Sequence, residues 1–195
     1  MSPMKKGMLG VERLNLILQQ HLNPKHPKKP EKEFDGKVYR VGDKVMQTKN
    51  NYQIEWSVKN DIGIAMEKGQ GVYNGDIGII RYINDFEEFI RVEFDDRKIV
   101  EYPYSEANQL ELAYAITIHK SQGSEYPAVI IPMYPGPKML MNRNLIYTAI
   151  TRAKTCVALV GEPECFYEMA QNTSQMKRYS SLDRQIKNLL KLKSN

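Results

Sequence analysis

The stretch AYAITIHKSQGSE, residues 113–125, changes abruptly from apolar to polar residues. With the leucine before it, it contains the run LAYAITI, which predicts a buried β-strand. A strand with a purely structural role does not need a His, a Lys, a Gly and a Glu directly after it. In open α/β sheets, ligands bind beyond the carboxyl ends of the strands. Thr117, His119 and Lys120 are therefore candidate contacts to a phosphate-bearing ligand, because Thr and His can donate hydrogen bonds to phosphate oxygens.

Two further residues of this stretch suit a bound nucleotide. Gly123 lets the backbone come close to a ligand, and Glu125 can accept a hydrogen bond from a sugar hydroxyl. A structural interpretation stands beside this one: His119 and Lys120 can be an ordinary polar helix start, with Glu125 favoured in the first turn by the helix dipole. Each residue taken alone favours the structural interpretation.

The second half of the chain has the pattern of an α/β fold. Apolar runs that do not alternate, such as AVII and CVALV, are typical of strands covered on both faces, as in a parallel sheet between helices. The runs LAYAITI, PAVIIPM and TCVALVG are predicted strands. The segments MNRNLIYTAITRAK and PECFYEMAQN are predicted helices.

The middle of the chain, residues 37–104, has the pattern of antiparallel strands. In FIRVEFDD, apolar and charged residues alternate, which indicates a strand with one solvated face. Asn74-Gly75 can adopt the positive φ angles of a tight turn. These features predict a small β-barrel. The segment NYQIEWSVKNDIGIAMEKGQG, residues 51–71, is predicted to be a loop with some helix.

The N-terminal segment VERLNLILQQHL is predicted to form a helix that ends at Asn23-Pro24. Its apolar residues recur at spacings of three and four and would form one stripe; they are Leu14, Ile17, Leu18 and Leu22. Residues 24–36, rich in Pro and Lys, are predicted to be an exposed basic connector. A solvated linker is favoured there over a phosphate-binding arm.

Composition excludes several classes of protein. The 195 residues carry 28 Lys and Arg against 23 Asp and Glu, a net charge of +5 that by itself decides little about partners. No apolar run is long enough to cross a bilayer, and MSPMKKGMLG lacks the apolar core of a secretory signal. We therefore expect a cytoplasmic protein without a membrane partner. Cys156 and Cys165 form no Cys-x-x-Cys pair, and with three His in the chain no metal site is expected.

The segment LIYTAITRAK, residues 145–154, places an arginine at the border of an apolar helix face. On a helical projection Ile146, Ile150 and Ala153 share one face, and Arg152 lies about 120° from its centre. A guanidinium at such a border suits a phosphate clamp, whose stabilisation of charge in phosphoryl transfer can reach about 10³ to 10⁵ in rate. A plain surface arginine before the next strand is the structural alternative.

Taken together, these stretches resemble motifs of a helicase family. AYAITIHKSQGSE followed by a strand, and NLIYTAITRAK followed by a strand, are similar to motifs V and VI of superfamily 1 helicases in their RecD-like form, the exodeoxyribonuclease V alpha chain family. The stretches SPMKKGMLGVERLNLILQQHLNP, GDKVMQTKNNY and GVYNGDIG also resemble pieces of that family, so the resemblance covers nearly the whole chain.

The resemblance implies a RecA-like α/β fold, of the P-loop NTPase type, that carries an inserted SH3-like β-barrel. The second RecA-like motor domain would comprise residues 1–70 and 105–180, and the barrel residues 71–104. Residues 181–195 would form a basic helix or tail after the motor domain.

For the nucleic-acid side, the resemblance assigns roles by motif position. Thr117 and His119 would contact the DNA backbone with support from Lys120, and Asn50 and Asn51 are weaker candidates for the same side. The family acts on single-stranded DNA with 5′-to-3′ translocation, in DNA repair and recombination. The implied partners are single-stranded DNA, the N-terminal RecA-like domain of the same parent chain and other subunits of a nuclease–helicase complex.

For the nucleotide side, the resemblance places Gly123 and Glu125 near the ribose and Arg152 at the γ-phosphate. ATP and Mg²⁺ would act in the intact parent, with the Mg²⁺ ligands outside this chain. The phosphate loop G-x-x-x-x-G-K-[ST] is absent, because Gly36-Lys37 has no glycine five positions earlier and is followed by Val. We therefore expect a C-terminal part of a larger motor, with a strand preceding MSPMKK and no ATP turnover of its own.

Two functions from different classes remain open at this point. The first is the C-terminal motor half of an ATP-dependent 5′-to-3′ DNA helicase. The alternative is a non-catalytic nucleic-acid-binding or interaction module, in which the barrel and the basic connector bind and the α/β half is a scaffold. A Rossmann-type redox domain is disfavoured, because no G-x-G-x-x-G turn follows a predicted strand.

Overall fold

The computed structural model describes residues 1–60, 62, 64–173, 181–182 and 185–187. The predicted helix or tail at 181–195 therefore lies mainly outside the described residues. In chain order, the helices and strands are α1 Val11–Leu22, β1 Glu31–Phe34, β2 Lys37–Arg40, β3 Lys44–Gln47, β4 Asn51–Lys59, β5 Ala65–Val72, β6 Ile77–Asn84, β7 Phe89–Phe94, β8 Ile99–Pro103, β9 Leu110–Leu112, β10 Tyr126–Met133, α2 Arg143–Ile150, β11 Ala153–Gly161 and α3 Pro163–Gln171.

The first half of the chain is dominated by a seven-stranded sheet in the order β5-β4-β8-β7-β6-β3-β9, and each pairing within it is antiparallel. The alternation of β7 buries Ile90, Val92 and Phe94 in one core with Val100 and Tyr102 of β8. Solvated residues occupy the other side of β7, as its sequence pattern predicts.

The structure corrects the prediction of a loop with some helix at residues 51–71. Strands β4 and β5 pair there as a long antiparallel hairpin. Trp56 of β4 packs across Gly69 of β5, so closely that a Cβ atom on Gly69 would lie 2.4 Å from the indole ring. Because Gly69 has no side chain, the indole ring fits against the strand. Glycine weakens the sequence pattern of a strand, but this packing explains its presence in β5.

The second half contains the parallel pair β10 and β11, joined by α2 and followed by α3. Both helices pack against the face of β10 that carries Val129, Ile131 and Met133. On the opposite face, Ile130 and Val160 are 61% and 57% exposed. Within the described part of the chain, the helices therefore cover one face of this pair, and not both faces as the unbroken apolar runs predict.

The run LAYAITI is not a continuous strand, which corrects the sequence prediction. Only Leu112 of this run lies in a strand: it is the last residue of β9, which pairs with β3 at the edge of the seven-stranded sheet. The physical reason is Asn15 of α1, whose amide takes up the backbone groups beyond β9: it donates to the carbonyls of Leu112 (2.7 Å) and Ala115 (3.0 Å) and accepts from the Ala115 N–H (2.7 Å). Thr117 then makes an isolated parallel bridge to Ser2.

Helix α1 has the predicted bounds but not the predicted buried face. Asn15 and Gln19 are buried, whereas Ile17 and Leu22 of the apolar stripe are 41% and 66% exposed. The helix turns its polar side inward because Gln19 donates to the buried carboxylate of Asp43 at 2.5 Å. A buried polar group is stable only when it is hydrogen-bonded, and this network satisfies that requirement.

Asp43 is fully buried between α1 and the barrel. Besides the Gln19 amide, it accepts hydrogen bonds from Asn23 Nδ2 (2.6 Å), the Arg40 N–H (2.7 Å) and the Tyr114 hydroxyl (2.8 Å). These bonds join α1, the turn between β2 and β3, and the segment after β9. They therefore set how the barrel sits against the residues that follow it.

The basic connector is shorter than predicted. Residues 24–30 are mostly exposed, but β1 pairs with β2 in register from Glu31↔Arg40 to Phe34↔Lys37. Strands β3, β4 and β9 also lie outside the range 71–104 proposed for the barrel. The division of the chain into domains stays a prediction. No helix in the described ranges is long and apolar enough to span a bilayer.

Candidate nucleotide and nucleic-acid site

The loop at 117–125 is a series of tight turns that begins where Thr117 bridges Ser2. The Ser121 N–H donates to the Thr117 carbonyl (3.2 Å), and the Ser124 N–H donates to the Ser121 carbonyl (3.1 Å). Ser121 is fully buried and its hydroxyl donates to the Ile118 carbonyl at 2.7 Å. The loop is thus fixed from inside, and its polar residues point outward on a rigid base.

Gly123 adopts a φ of +89° within this loop. A Cβ atom at this position would have no heavy atom within 4 Å. The glycine is therefore required by backbone conformation rather than by crowding within the protein. The open space beside it leaves the backbone accessible to a ligand.

The end of α2 meets this loop, so the structure brings together the three residues predicted for the nucleotide side. Arg152 Nη1 donates to the Ser124 carbonyl at 3.3 Å, and the Tyr126 N–H donates to the Arg152 carbonyl at 2.8 Å. Next to this contact, Lys154 Nζ lies 3.2 Å from Glu125 Oε2. Parallel pairing of β10 with β11 produces this meeting, because both strands start at the same edge.

Helix α2 ends at Ile150, so the helix predicted through residue 154 is too long and Arg152 does not lie on a helix face. It lies half-buried in the turn that joins α2 to β11. Its Nε donates to the Thr148 carbonyl at 3.3 Å and its Nη2 to the Thr151 hydroxyl at 3.4 Å. These bonds and the one to Ser124 are long, and a guanidinium has five N–H donors. The side chain is therefore oriented while retaining donors for an anion.

On the predicted nucleic-acid side, Thr117 accepts a hydrogen bond from the Lys120 N–H at 3.2 Å and so stabilises the turn. His119 is exposed, and its ring has no hydrogen-bond partner among the described residues. Lys120 Nζ donates to Glu111 at 2.9 Å. His119 is thus accessible to a ligand, whereas Lys120 already has an acidic partner.

Glu111 is a feature that sequence reasoning missed. Its carboxylate lies 2.9 Å from Lys120, 3.6 Å from Lys37 and 3.7 Å from Lys5, and its side chain is 30% exposed. Burial raises the pKa of this carboxyl, but the Lys120 hydrogen bond and the charges of the three lysines outweigh that effect and hold the pKa below its usual value. We call these four side chains the Glu111 cluster. No sequence signal could have found it, because its members come from distant segments.

Asn50 and Asn51 occupy different environments. Asn51 is satisfied internally: Nδ2 donates to Glu106 (3.2 Å) and Gln109 (3.1 Å), and Oδ1 accepts from two N–H groups of β4. Asn50 is exposed, and its amide bridges Tyr52 and the Asn74 N–H. The internal bonds of Asn51 account for its presence without a ligand.

A cleft of about 480 Å³ separates the barrel from the end of the loop. One side is formed by Gly75 and Asp76 with parts of β6 and β7, and the other by residues 124–127. The Tyr126 hydroxyl is buried without a hydrogen-bond partner in the structure as described. In the described ranges, no group of three or more His, Cys, Asp or Glu side chains could hold a metal ion.

Comparison with known proteins agrees with this architecture. Residues 14–94 match the family model described as the ATP-dependent RecD-like DNA helicase SH3 domain, and residues 112–160 match that of the UvrD-like helicase C-terminal domain. The first match begins within α1 and ends with β7, and the second begins at the end of β9 and ends near the end of β11. The chain is therefore similar to part of a RecD-like helicase.

Relatives of this RecD-like chain support the assignment along almost its full length. It is 30% identical over 184 residues to the ATP-dependent RecD2 DNA helicase of Deinococcus radiodurans, covering 94% of this chain and 23% of the relative. It is 30% identical over 157 residues to the RecBCD enzyme subunit RecD of Mycolicibacterium smegmatis, covering 80% of this chain and 24% of the relative. The chain thus spans about a quarter of these proteins.

A solved structure shows the fold of the RecD-like chain. The Pif1 helicase from Bacteroides, in complex with ADP-AlF3 and ssDNA, superposes with a TM-score of 0.53 at 19% identity, over 92% of this chain and 43% of that one. The predicted RecA-like α/β fold with an SH3-like barrel is confirmed.

Proposed function

We propose that this chain is the C-terminal motor half of an ATP-dependent DNA helicase that translocates 5′ to 3′. The observation that carries the proposal is the contact of Arg152 with the backbone of the loop at 117–125. This contact supports the proposal because it joins the arginine predicted for ATP to the loop predicted for DNA. A motor requires a connection of this kind, because binding and hydrolysis of the nucleotide must change how the protein binds the DNA.

On the nucleotide side, the proposal gives Arg152 the role of binding the γ-phosphate, with Gly123 and Glu125 near the ribose. The guanidinium has donors to spare and is oriented by long hydrogen bonds, which suits a group that gains its ligand when a cleft closes. ATP and Mg²⁺ would be bound in the intact parent, with the phosphate loop and the Mg²⁺ ligands on its N-terminal RecA-like domain. This chain alone would not hydrolyse ATP.

On the nucleic-acid side, Thr117, His119 and Lys120 would form part of a track for single-stranded DNA. Exposure of His119 and the net positive charge of the Glu111 cluster support this role, since backbone phosphates are bound by cations and polar donors. Asn50 stays a weaker candidate beside them. The names of the RecD relatives support further subunits of a nuclease–helicase complex as partners of the parent.

The arginine assignment is tested in the full-length parent with Arg152→Ala. We expect ATP hydrolysis to fall about 10³-fold or more, the scale on which an arginine stabilises phosphoryl transfer, while single-stranded DNA binding is retained. Steady-state ATPase and fluorescence anisotropy with labelled oligothymidine measure the two effects.

Arg143→Ala, at the start of the same helix, is the matched control. The Arg143 side chain donates to Ala170 and not to the loop, so its removal should leave hydrolysis intact. Unchanged hydrolysis in Arg152→Ala would remove this arginine from the mechanism.

A further inference from the structure

Two tyrosines at the base of the β4–β5 hairpin form an exposed aromatic pair. Tyr52 is 66% exposed and Tyr73 is 49% exposed, and their rings meet edge to face with centroids 5.8 Å apart at an interplanar angle of 72°. Aromatic rings usually contribute to stability by being buried. This pair leaves most of its surface to solvent.

The Tyr52 ring is held in place by hydrogen bonds. Asn50 Nδ2 donates to the Tyr52 hydroxyl at 3.0 Å, and Asn50 Oδ1 accepts from the Asn74 N–H at 2.9 Å. Asn50 therefore connects Tyr52 to the turn that follows β5. The exposed ring is oriented before any ligand arrives.

Tyr73 is positioned by a backbone hydrogen bond and by the packing of its ring over Gly71. The Tyr73 N–H donates to Asp76 Oδ2 at 2.8 Å. The ring lies over Gly71, where a Cβ atom would be 3.0 Å from the Tyr73 hydroxyl, and Gly71 has a φ of +99°. A side chain at Gly71 would displace the ring. The two rings thus form a preorganised surface rather than two mobile side chains.

The position of the pair relates it to the proposed DNA track. The turn at 73–76 contributes Gly75 and Asp76 to one side of the cleft, and residues 124–127, at the end of the loop at 117–125, form the other side. Tyr73 is therefore two residues from the part of this turn that borders the cleft. Other tyrosines near the loop are already engaged, since the Tyr114 hydroxyl donates to Asp43 and Tyr126 packs against the cores beside the loop.

We propose that Tyr52 and Tyr73 are a stacking platform for the bases of single-stranded nucleic acid, with Asn50 as the positioning residue. Every base has a π-face, so stacking on tyrosine suits a motor that must move over any sequence. The inference rests on the proposed function and adds a base contact to the phosphate contacts of the loop. It assigns a role to the barrel half of the chain.

The test compares an oligothymidine with an abasic oligonucleotide of equal length, which keeps the phosphates and lacks the bases. We expect Tyr52→Ala and Tyr73→Ala to weaken oligothymidine binding roughly 5- to 150-fold, the range for one stacked base. Binding of the abasic strand and the salt dependence should be unchanged. Fluorescence anisotropy at fixed salt measures both strands.

Control variants separate stacking from other effects. Tyr52→Phe keeps the ring and should bind oligothymidine nearly as well as the unmodified chain, whereas Tyr52→Leu keeps an apolar side chain and should not. Tyr147→Ala removes a tyrosine that is 68% exposed on α2 and should bind both strands normally. Asn50→Ala should weaken the binding of oligothymidine more than the binding of the abasic strand, because it removes the hydrogen bond that orients the Tyr52 ring.

The outcomes distinguish this inference from the proposed function. The stacking platform would be overturned if the Tyr52 and Tyr73 variants bound oligothymidine as tightly as the unmodified chain. It would also be overturned if they lost affinity for both strands equally. His119→Ala should weaken the binding of both strands. That result would support the DNA track even if the tyrosine variants contradict the stacking platform. Absence of binding to either strand would overturn both.

Discussion

At the scale of single residues, the most consequential side chain that the sequence did not reveal is Glu111. One carboxylate brings three ammonium groups from the N-terminal turn, β2 and the loop at 117–125 within 4 Å of itself. The cluster keeps an excess of positive charge, and it is close to the exposed His119. Glu111 therefore both orders the base of the loop and concentrates cations there.

The lowered pKa of Glu111 predicts an acid-sensitive share of stability. A carboxyl whose pKa is lower in the folded state stabilises that state above its ordinary pKa of about 4.3 and loses this contribution as pH falls through the folded value. Glu111→Gln should therefore be less stable than the unmodified chain at pH 7, and the difference should shrink as pH falls below about 5. Urea unfolding at several pH values measures it.

Glu33 provides the comparison for this prediction, because it is an exposed carboxylate without an ion pair among the described residues. Glu33→Gln should leave both the stability and its pH profile nearly unchanged. An equal pH dependence of the two variants would show that the lysines do not stabilise ionised Glu111.

At the scale of elements, the β4–β5 hairpin is an addition to the barrel that depends on one close contact. Trp56 lies across Gly69, and the Lys98 ammonium lies 5.0 Å from the centre of the indole ring. The hairpin carries the tyrosine pair at its base, so its geometry also determines where those rings lie. The sequence pattern of a strand is weak in this hairpin, because β5 contains two glycines and charged residues.

Gly69→Ala should displace the indole ring and destabilise the chain by about 1–3 kcal/mol, the usual cost of overpacking. Trp56 is the only tryptophan in the chain, so its fluorescence reports the hairpin directly. Gln70→Ala, at the next and exposed position, should leave emission and stability unchanged. Identical emission spectra for Gly69→Ala and the unmodified chain would show that the ring does not pack on this glycine in solution.

At the scale of the whole molecule, the junction between barrel and α/β half determines what the chain can bind. The buried Asp43 network sets the orientation of α1 and the barrel, and the meeting of α2 with the loop sets the position of Arg152. Hydrogen bonds of the fold thus connect the parts of the chain that form the proposed site. The full chain has a net charge of +5, and Lys120 of the Glu111 cluster is part of the loop itself.

The salt dependence of single-stranded DNA binding locates the phosphate contacts. Each phosphate neutralised contributes about −0.7 to the slope of log affinity against log salt. Lys120→Ala should weaken binding and reduce the slope by about 0.7, whereas Lys28→Ala in the exposed connector should change neither. Titrations with labelled oligothymidine at several KCl concentrations provide both quantities.

The opposite result would favour the alternative function. If Lys28→Ala and Lys29→Ala weakened binding while His119→Ala and Lys120→Ala did not, the connector would be the binding element. The chain would then act as a nucleic-acid-binding module with a RecA-like scaffold, without a track along the loop at 117–125.

Much of the architecture was determined by the sequence itself. The period of the apolar residues predicted α1, α2 and α3, and unbroken apolar runs predicted β10 and β11. These signals are local, since a helix or strand is specified by residues within a turn or two of each other. The motif pattern likewise predicted that Arg152 and the loop belong to one site, and the structure places them in contact.

Only the tertiary structure decided which faces are buried and which side chains meet. Helix α1 turns Asn15 and Gln19 inward because their partners, the backbone around Ala115 and the Asp43 carboxylate, come from distant segments. The Glu111 cluster and the exposed tyrosine pair arise in the same way. The sequence pattern shows how polar a residue is, but it does not show which distant residue will form its hydrogen bonds. Such contacts are therefore known only from the folded structure.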